Sequence, residues 1–151
     1  MSSDEFLQRI RNNTKLTERI IVGGNPFEFD VVKDSGLEQM LSFFIGYNNG
    51  RPFISSEVPV DYRIPMVTHE IMEFTAYLGK PDSCLNALKD ELKLVPAKQL
   101  EEYITFRYHV FKILRNYLMK TEPSSPLIDQ VRTSMMLLEG KLRSYEHKRI
   151  I

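Results

Sequence analysis

The pattern of apolar and polar residues near the C-terminus predicts two long helices packed against each other. Apolar side chains recur there at alternating spacings of three and four, which is typical of a helix packed lengthwise on another helix. The downstream run is Ile128, Val131, Met135, Leu138, Leu142 and Tyr145, and the upstream run is Leu100, Tyr103, Val110, Leu114 and Tyr117. Arg107 occupies the position of the upstream run that is not apolar.

Prolines and serines at 119–126 predict a turn between these two helices. Ser125 is suited to cap the second helix, and Pro126 suits its first position. If the helices run antiparallel about this turn, Arg107 should meet Glu139. We therefore expect a long helical hairpin in the last third of the chain, although the same pattern would also serve a contact between two chains.

The N-terminal third changes its period twice. Ser2 and Glu5 have capping-box spacing ahead of a short amphipathic helix that should end near Asn12. Residues 19–31 then alternate around the turn Gly23-Gly24-Asn25-Pro26, which predicts a β-hairpin. A second helix should follow, capped by Asp34 or Ser35 and stopped by Asn48-Asn49-Gly50. Its buried stripe would be Leu37, Met40, Leu41, Phe44 and Ile45.

The segment 51–63 has two prolines and no helical period, so we expect an extended surface connection. Loops of this length often carry a partner site, and the alternative is a spacer. Pro65 should open a helix that runs to Gly79, and a further helix should end before Pro96.

Together these patterns predict a mainly α fold of about six helices, with a C-terminal antiparallel helical hairpin and a small N-terminal β-hairpin. The length, 151 residues, suits one core of ordinary size. We expect a single globular domain over 1–151. Its parts would be a helix, β-hairpin and helix over 1–50, the connection at 51–63 and a helical bundle over 64–151.

Composition and charge limit the classes of function. Basic and acidic side chains balance at 20 each, so no overall field attracts nucleic acid or an acidic membrane. Cys84 is the single cysteine, which excludes an intramolecular disulfide framework and fits a reducing compartment. Met1 is followed by a polar run, and no stretch reaches the roughly 18 apolar residues of a membrane span. We expect a soluble, cytoplasmic protein.

The best chemical candidate is the pair His69 and Glu73 on the helix that follows Pro65. The two residues lie one helical turn apart, so they can contact each other or the same ion. A metal site needs more ligands, and Glu102 and His109 on the next long helix could supply them. The chain lacks the second histidine of a His-Glu-x-x-His motif. The sequence therefore favours a structural pair, hydrogen-bonded or merely solvated, over a metal or acid–base site.

Other candidates are weaker. The turn Gly23-Gly24-Asn25-Pro26 leads into a strand, whereas a phosphate cradle needs a helix N-terminus beneath it. Cys84 would lie in the first turn of its helix, where the dipole can lower a thiol pKa, yet a lone cysteine is usually a small buried apolar group. Basic and aromatic residues interleave along the C-terminal hairpin and could form a nucleic-acid surface, or they could serve the core and offset the helix dipole. They are Arg107, Tyr108, Phe111, Lys112, Arg115, Tyr117, Lys120, Lys141, Arg143, Lys148 and Arg149.

The sequence contains no complete catalytic constellation and no cofactor fingerprint, and it assigns no catalytic, cofactor-binding or metal residue. It therefore favours a non-catalytic protein-interaction domain, acting as an adaptor, inhibitor or assembly factor on a protein partner. One alternative is a metal-dependent helical-bundle enzyme centred on His69 and Glu73. Another is a nucleic-acid-binding regulator that uses the C-terminal helical hairpin. Self-association through the hairpin stays open.

Overall fold

The structure is a computed structural model that describes residues 3–33 and 41–150. The chain divides into two compact units, Met1–Ala76 and Tyr77–Ile151. The expectation of a single domain stays a prediction.

The N-terminal unit contains a four-stranded mixed sheet and two helices. Its elements are α1 (Ser3–Asn12), β1 (Thr14–Val22), β2 (Asn25–Val32), β3 (Ile45–Asn48), β4 (Arg51–Ser55) and α2 (Val60–Phe74). The strand order is β1-β2-β4-β3. The pairs β1–β2 and β3–β4 are antiparallel, whereas β2 and β4 are parallel.

The β-hairpin predicted at 19–31 is present as β1 and β2. Its turn consists of Gly23 and Gly24, whose φ angles are +60° and +80°, between the paired residues Val22 and Asn25. Two consecutive positive φ angles define the turn type whose twist matches that of the flanking strands, and glycine adopts them without steric cost. The Gly-Gly-Asn-Pro run is therefore a hairpin turn, as the sequence predicts.

The helix predicted from 34 or 35 to 47 is wrong over its described part. Leu41–Phe44 are not helical, and Ile45–Asn48 form strand β3; the predicted cap and the residues up to Met40 lie outside the described residues. Asn49 and Gly50, with φ of 50° and 80°, form a two-residue turn into β4. An Asn-Gly pair between apolar runs is a strong hairpin signal, and the helical spacing of Leu41, Phe44 and Ile45 concealed it.

The prediction that 51–63 forms an extended surface connection is also wrong. Residues 51–55 are extended, but they form the central strand β4, where Asp30 of β2 pairs with Phe53. Helix α2 begins at Val60, with Pro65 inside it, and ends at Phe74 rather than Gly79. A parallel pairing between segments more than twenty residues apart leaves no local sequence signal.

The sheet carries one helix on each face. On one face, Ile10 of α1 packs with Val32, Phe44 and Phe53, and Phe6 lies against them. On the other face, the ring of Tyr47 stacks on that of Phe74 at the end of α2, with 4.8 Å between the ring centroids. The core of the N-terminal unit therefore lies on both sides of the sheet.

Gly46 leaves room for the ring of Phe53 on the face of the sheet that α1 covers. A Cβ atom at Gly46 would lie 2.2 Å from the ring of Phe53, the residue that pairs with it on β4. The ring therefore lies directly over the Gly46 backbone, where no other residue would fit.

The predicted fold class, mainly α with about six helices, is wrong. The described residues form five helices and a four-stranded mixed sheet, so the fold is mixed α/β. The predicted β-hairpin forms half of this sheet. The sequence pattern missed the other half, because it assigned β3 to a helix and β4 to a connection.

The C-terminal unit contains α3 (Ser83–Leu92), α4 (Ala97–Thr121) and α5 (Leu127–Ile150). Helices α4 and α5 form an antiparallel hairpin. Glu101 near the start of α4 pairs with Arg149 near the end of α5 at 2.7 Å, and Tyr108 donates to Glu139 at 2.8 Å. Ser125 accepts a hydrogen bond from the N–H of Leu127, as its predicted capping role requires.

The partner predicted for Arg107 is wrong. Its guanidinium binds Glu91 of α3 at 2.6 and 3.1 Å, and Tyr103 also donates to that carboxylate. Glu91, Tyr103 and Arg107 are all buried. Burial lowers the pKa of Arg107, but the charge of Glu91 outweighs this and leaves the pKa above its ordinary value. The buried ion pair thus joins α3 to α4.

We predict that Arg107→Met lowers the free energy of unfolding by about 3–5 kcal/mol, because the buried carboxylate of Glu91 loses its cation. The double variant Glu91→Met/Arg107→Met should recover most of this loss, since no charge is left in the core. Urea unfolding followed through the α4 amide signals measures both effects. The matched control, Lys112→Met on the exposed side of α4, should change stability by no more than about 0.5 kcal/mol; equal losses in Arg107→Met and Lys112→Met would contradict the prediction.

Candidate functional site

The predicted pair His69 and Glu73 lies on α2, and the two side chains are hydrogen-bonded through Nε2 and Oε1. His69 is buried and Glu73 is half-buried. Glu102 and His109, the proposed further ligands, are both exposed on α4 of the C-terminal unit. The contact predicted between His69 and Glu73 is therefore present, and the metal site stays a hypothesis.

Cys84 is buried at the start of α3, where the sequence places it. Its Sγ lies 3.2 Å from Oγ of Ser134 on α5. Beside it, the Ser83 hydroxyl donates to Gln130 of α5 at 2.9 Å. The thiol therefore takes part in the packing of α3 against α5.

Several of the basic and aromatic residues that suggested a nucleic-acid surface are used within the C-terminal unit. The guanidinium of Arg107 lies 4.3 Å above the centroid of the Phe111 ring, and both residues are buried. The hydrogen bond from Tyr108 to Glu139 raises the pKa of the phenol above its ordinary value. Arg149 pairs with Glu101 at 2.7 Å, so the hairpin also carries acidic residues among its cations.

A polar cluster that the sequence analysis did not identify lies on the α1 face of the sheet. Arg51, the first residue of β4, binds Asp30 of β2 through two parallel hydrogen bonds of 2.8 Å, from Nε to Oδ2 and from Nη2 to Oδ1. Nη1 of Arg51 also donates to Glu28 at 3.0 Å, and the Thr17 hydroxyl of β1 donates to Asp30 Oδ1 at 2.7 Å. We call Thr17, Glu28, Asp30 and Arg51 the Asp30 cluster.

The Asp30 cluster favours the charged form of the Asp30 carboxylate. Burial of Asp30 raises the pKa of the carboxyl group, but the hydrogen bonds from Arg51 and Thr17 and the charges of Arg51 and Arg11 outweigh this. The pKa of Asp30 therefore lies below its ordinary value of 3.8. Bidentate binding of a carboxylate by a guanidinium is among the stronger polar contacts in proteins, and here it links β4 to β2, while the Thr17 bond adds β1.

Strand β1 forms an open edge of the sheet. Within residues 3–33 and 41–150, β1 pairs only with β2, over a length of nine residues. In a two-residue hairpin the residues that flank the turn exchange both hydrogen bonds, so Val22 bonds to β2 and the bonding alternates from there. The N–H and C=O groups of Thr17, Arg19 and Ile21 therefore point away from the sheet.

Pro26 supports this alternation. It lies opposite Ile21 on β2, at a position where a residue makes no hydrogen bond to β1. Proline has no N–H to donate, so it is tolerated there without loss of a ladder bond. As far as the described residues extend, the open edge of β1 thus carries unpaired backbone donors and acceptors at every second residue.

A weak sequence signal marks the Asp30 cluster, and none marks the open edge. Asp30 interrupts the run Phe29, Val31 and Val32, all of them buried, and a charged residue in an apolar run needs a charged partner. Arg51 is more than twenty residues away, and its role follows only from the parallel pairing of β2 with β4. Which strand lies at the edge depends on the sheet order and has no local signal.

No protein-family model matches this chain, and no curated protein and no solved structure matches it either. Among the helices that the structure describes, none is both long enough and apolar enough to cross a membrane.

We predict that Asp30→Asn lowers the free energy of unfolding of the N-terminal unit by about 1–3 kcal/mol at neutral pH, because Arg51 loses a charged acceptor. Since the folded-state pKa of Asp30 is lowered, its stabilisation is present above pH 3.8 and is lost as the pH falls further. The difference between wild type and Asp30→Asn should therefore shrink below that pH. Urea unfolding at several pH values, followed through the β2 amides, measures this. The exposed Glu57→Gln should show neither effect, and a difference that does not change with pH would contradict the argument.

For the His69–Glu73 pair we predict a structural role. His69→Gln should cost about 0.5–1.5 kcal/mol, as for an ordinary hydrogen bond, and a chelator should leave the melting temperature unchanged. The measurements are thermal melts with and without chelator and elemental analysis of the purified protein. Near one Zn, Fe, Mn or Ni per chain, lost in both His69→Ala and Glu73→Ala, would instead support the metal-dependent alternative.

Proposed function

We propose that the chain is a non-catalytic protein-interaction domain, an adaptor, inhibitor or assembly factor, that binds an extended segment of a partner protein along β1. The observation that carries this proposal is the open edge itself. An exposed edge strand offers a row of unpaired N–H and C=O groups, and extended peptides bind such edges by adding a strand to the sheet.

The side chains of β1 favour an added strand with an apolar and an acidic residue. Ile21 is 75% exposed, and a β-branched side chain at an edge position packs well against an apolar neighbour on the next strand. The Arg19 side chain is 85% exposed, and its nearest acidic oxygen, on Glu28, is 3.8 Å away. A carboxylate on the added strand would therefore find Arg19 largely unneutralised.

Self-pairing of β1 is disfavoured by its own charges. When two copies pair antiparallel over the whole strand, Glu18 lies opposite Glu18 of the second copy. Shifting the register in one direction places Arg19 opposite Arg19, and shifting it in the other places Lys15 opposite Arg19. Like charges directly opposite each other destabilise a strand pair, so the charges favour a different protein as partner.

The two carboxylates that are buried among the described residues, Asp30 and Glu91, support a role without catalysis. In the N-terminal unit Asp30 is bonded to Arg51 and Thr17. In the C-terminal unit Glu91 is bonded to Arg107 and Tyr103. A catalytic acid or base must reach a substrate, whereas these groups bind one another and stabilise the fold.

The experiment compares two substitutions at one edge position. Ile21→Pro removes an outward N–H and blocks strand addition without removing a bond to β2, whereas Ile21→Thr keeps that N–H. We predict that wild type and Ile21→Thr retain the same protein from an extract of the native cell, and that Ile21→Pro retains it at least about tenfold less. Quantitative mass spectrometry of the retained proteins measures the difference.

Hydrogen exchange on the purified complex then locates the contact. The amides of Thr17, Arg19 and Ile21 should gain protection when the partner binds, whereas the Ile20 amide is already bonded to β2. Thermal melts check that Ile21→Pro is folded, and Arg19→Pro repeats the test at a second outward N–H. Equal retention by both proline variants and wild type, or protection confined to the C-terminal unit, would exclude the edge as the binding surface.

A further inference from the structure

A cavity of about 430 Å³ lies between α1 and the sheet. Its apolar lining consists of Leu7 and Ile10 on α1 and the ring of Phe53 on β4. Phe53 is fixed by Phe6 and Phe44, whose ring centroids lie 5.9 and 6.1 Å from its own. This volume is within the range of pockets that hold small molecules, and the lining combines a rigid aromatic floor with a few polar groups.

The polar side chains on one side of the cavity already have hydrogen-bond partners within the Asp30 cluster. Asp30 and Arg51 line the cavity, and they bind each other through two hydrogen bonds. Thr17 also lines the cavity and donates to Asp30. Nη1 of Arg51 donates to Glu28. These groups stabilise the wall of the cavity, and their hydrogen bonds to one another leave them unavailable to a ligand.

Three other polar side chains of the lining are not used in this way. Arg11 on α1, Asn48 at the end of β3 and Asn49 in the following turn all line the cavity. In the part of the chain that the structure describes, none of the three makes a side-chain hydrogen bond or an ion pair. The charge of Arg11 reaches Asp30, because it contributes to lowering the pKa of that carboxyl group. The cavity therefore offers one guanidinium and two carboxamides around an apolar floor.

We propose that this cavity binds a small organic monocarboxylate whose apolar or aromatic part lies on Phe53 and whose carboxylate binds Arg11. A planar guanidinium matches a carboxylate through two parallel hydrogen bonds. The carboxamides of Asn48 and Asn49 can donate to the same anion or accept from a hydroxyl group on the ligand. The apolar lining favours a hydrophobic body and is of no use to an inorganic ion.

The charge of the cluster selects one negative charge over two. Among the described side chains Arg11 makes no ion pair, whereas the Asp30 cluster itself carries one cation, Arg51, and two carboxylates, Asp30 and Glu28. A second negative charge on the ligand would face these two carboxylates across the wall, and like charges at short range repel. A phosphate monoester is therefore a poorer fit than a carboxylate. The proposal is independent of the β1 edge, since it needs no partner protein.

The test uses the full chain and four probes: phenylacetate, its neutral analogue phenylacetamide, acetate and inorganic phosphate. Titrations are followed in amide correlation spectra by NMR. We expect phenylacetate to shift the signals of Arg11, Thr14, Asn48 and Phe53 saturably, with a dissociation constant of about 1 mM. Phenylacetamide and acetate should each bind at least about tenfold more weakly, because one lacks the charge and the other the apolar group.

Arg11→Gln and Arg9→Gln provide a matched pair of variants. Both arginines are exposed on α1, and Arg9 does not line the cavity. Arg11→Gln should weaken phenylacetate binding about tenfold or more, and Arg9→Gln should change it by less than about twofold. Both variants should keep the melting temperature of wild type.

Three outcomes would overturn the proposal. The first is the absence of saturable shifts at the lining residues up to about 50 mM phenylacetate, far above the expected constant. The second is equal binding of phenylacetate and phenylacetamide, or an equal loss in the two arginine variants. The third is tighter binding of inorganic phosphate than of phenylacetate, which would assign the cavity to a different anion.

Discussion

The N-terminal unit depends on the contact between Asp30 and Arg51. Strands β2 and β4 pair in parallel over only three residues, and parallel pairing between distant segments carries a loop-closure cost before it contributes stability. The two hydrogen bonds of 2.8 Å between Asp30 and Arg51 lie at the start of this short ladder. The Thr17 bond extends the link to β1, so a single carboxylate connects three of the four strands.

The C-terminal unit also contains a carboxylate–guanidinium pair, Glu91 and Arg107, but there the pair joins two helices. Its helices could pack through apolar residues alone, as Leu138 and Val131 do at 0% exposure. Glu91 and Arg107 are buried among them instead, and a buried ion pair often contributes less stability than apolar residues of the same volume. The pair can form only when α3 meets α4 in one register. A buried polar pair of this kind can favour one register over packings that a purely apolar seam would permit.

The sequence predicted what depends on local spacing and failed where distant segments meet. The antiparallel α4–α5 hairpin, the Ser125 cap and the His69–Glu73 contact follow from helical periodicity or local turn chemistry. The helix predicted over 34–47 failed in its described part, from Leu41 on, because a short apolar run fits either period, and the Asn49-Gly50 turn, which favours a hairpin, was interpreted as a helix stop. Asp30 and Arg51 could not be paired in advance, since their contact depends on the order of the strands.

The open edge of β1 and the place of Thr17 in the cavity wall both follow from the two-residue period of β1. Residues Thr17, Arg19 and Ile21 direct their backbone groups to the open edge, and their side chains share the face on which Thr17 binds Asp30. A strand added to β1 would therefore extend the face that already carries the Asp30 cluster. Thr17 belongs to both sites, because its hydroxyl supports the cavity wall while its N–H and C=O lie at the edge. Within the described residues, β1 thus presents its unpaired backbone groups beside the cavity wall, whereas the polar side chains left unbonded in the cavity belong to α1, β3 and the turn after β3.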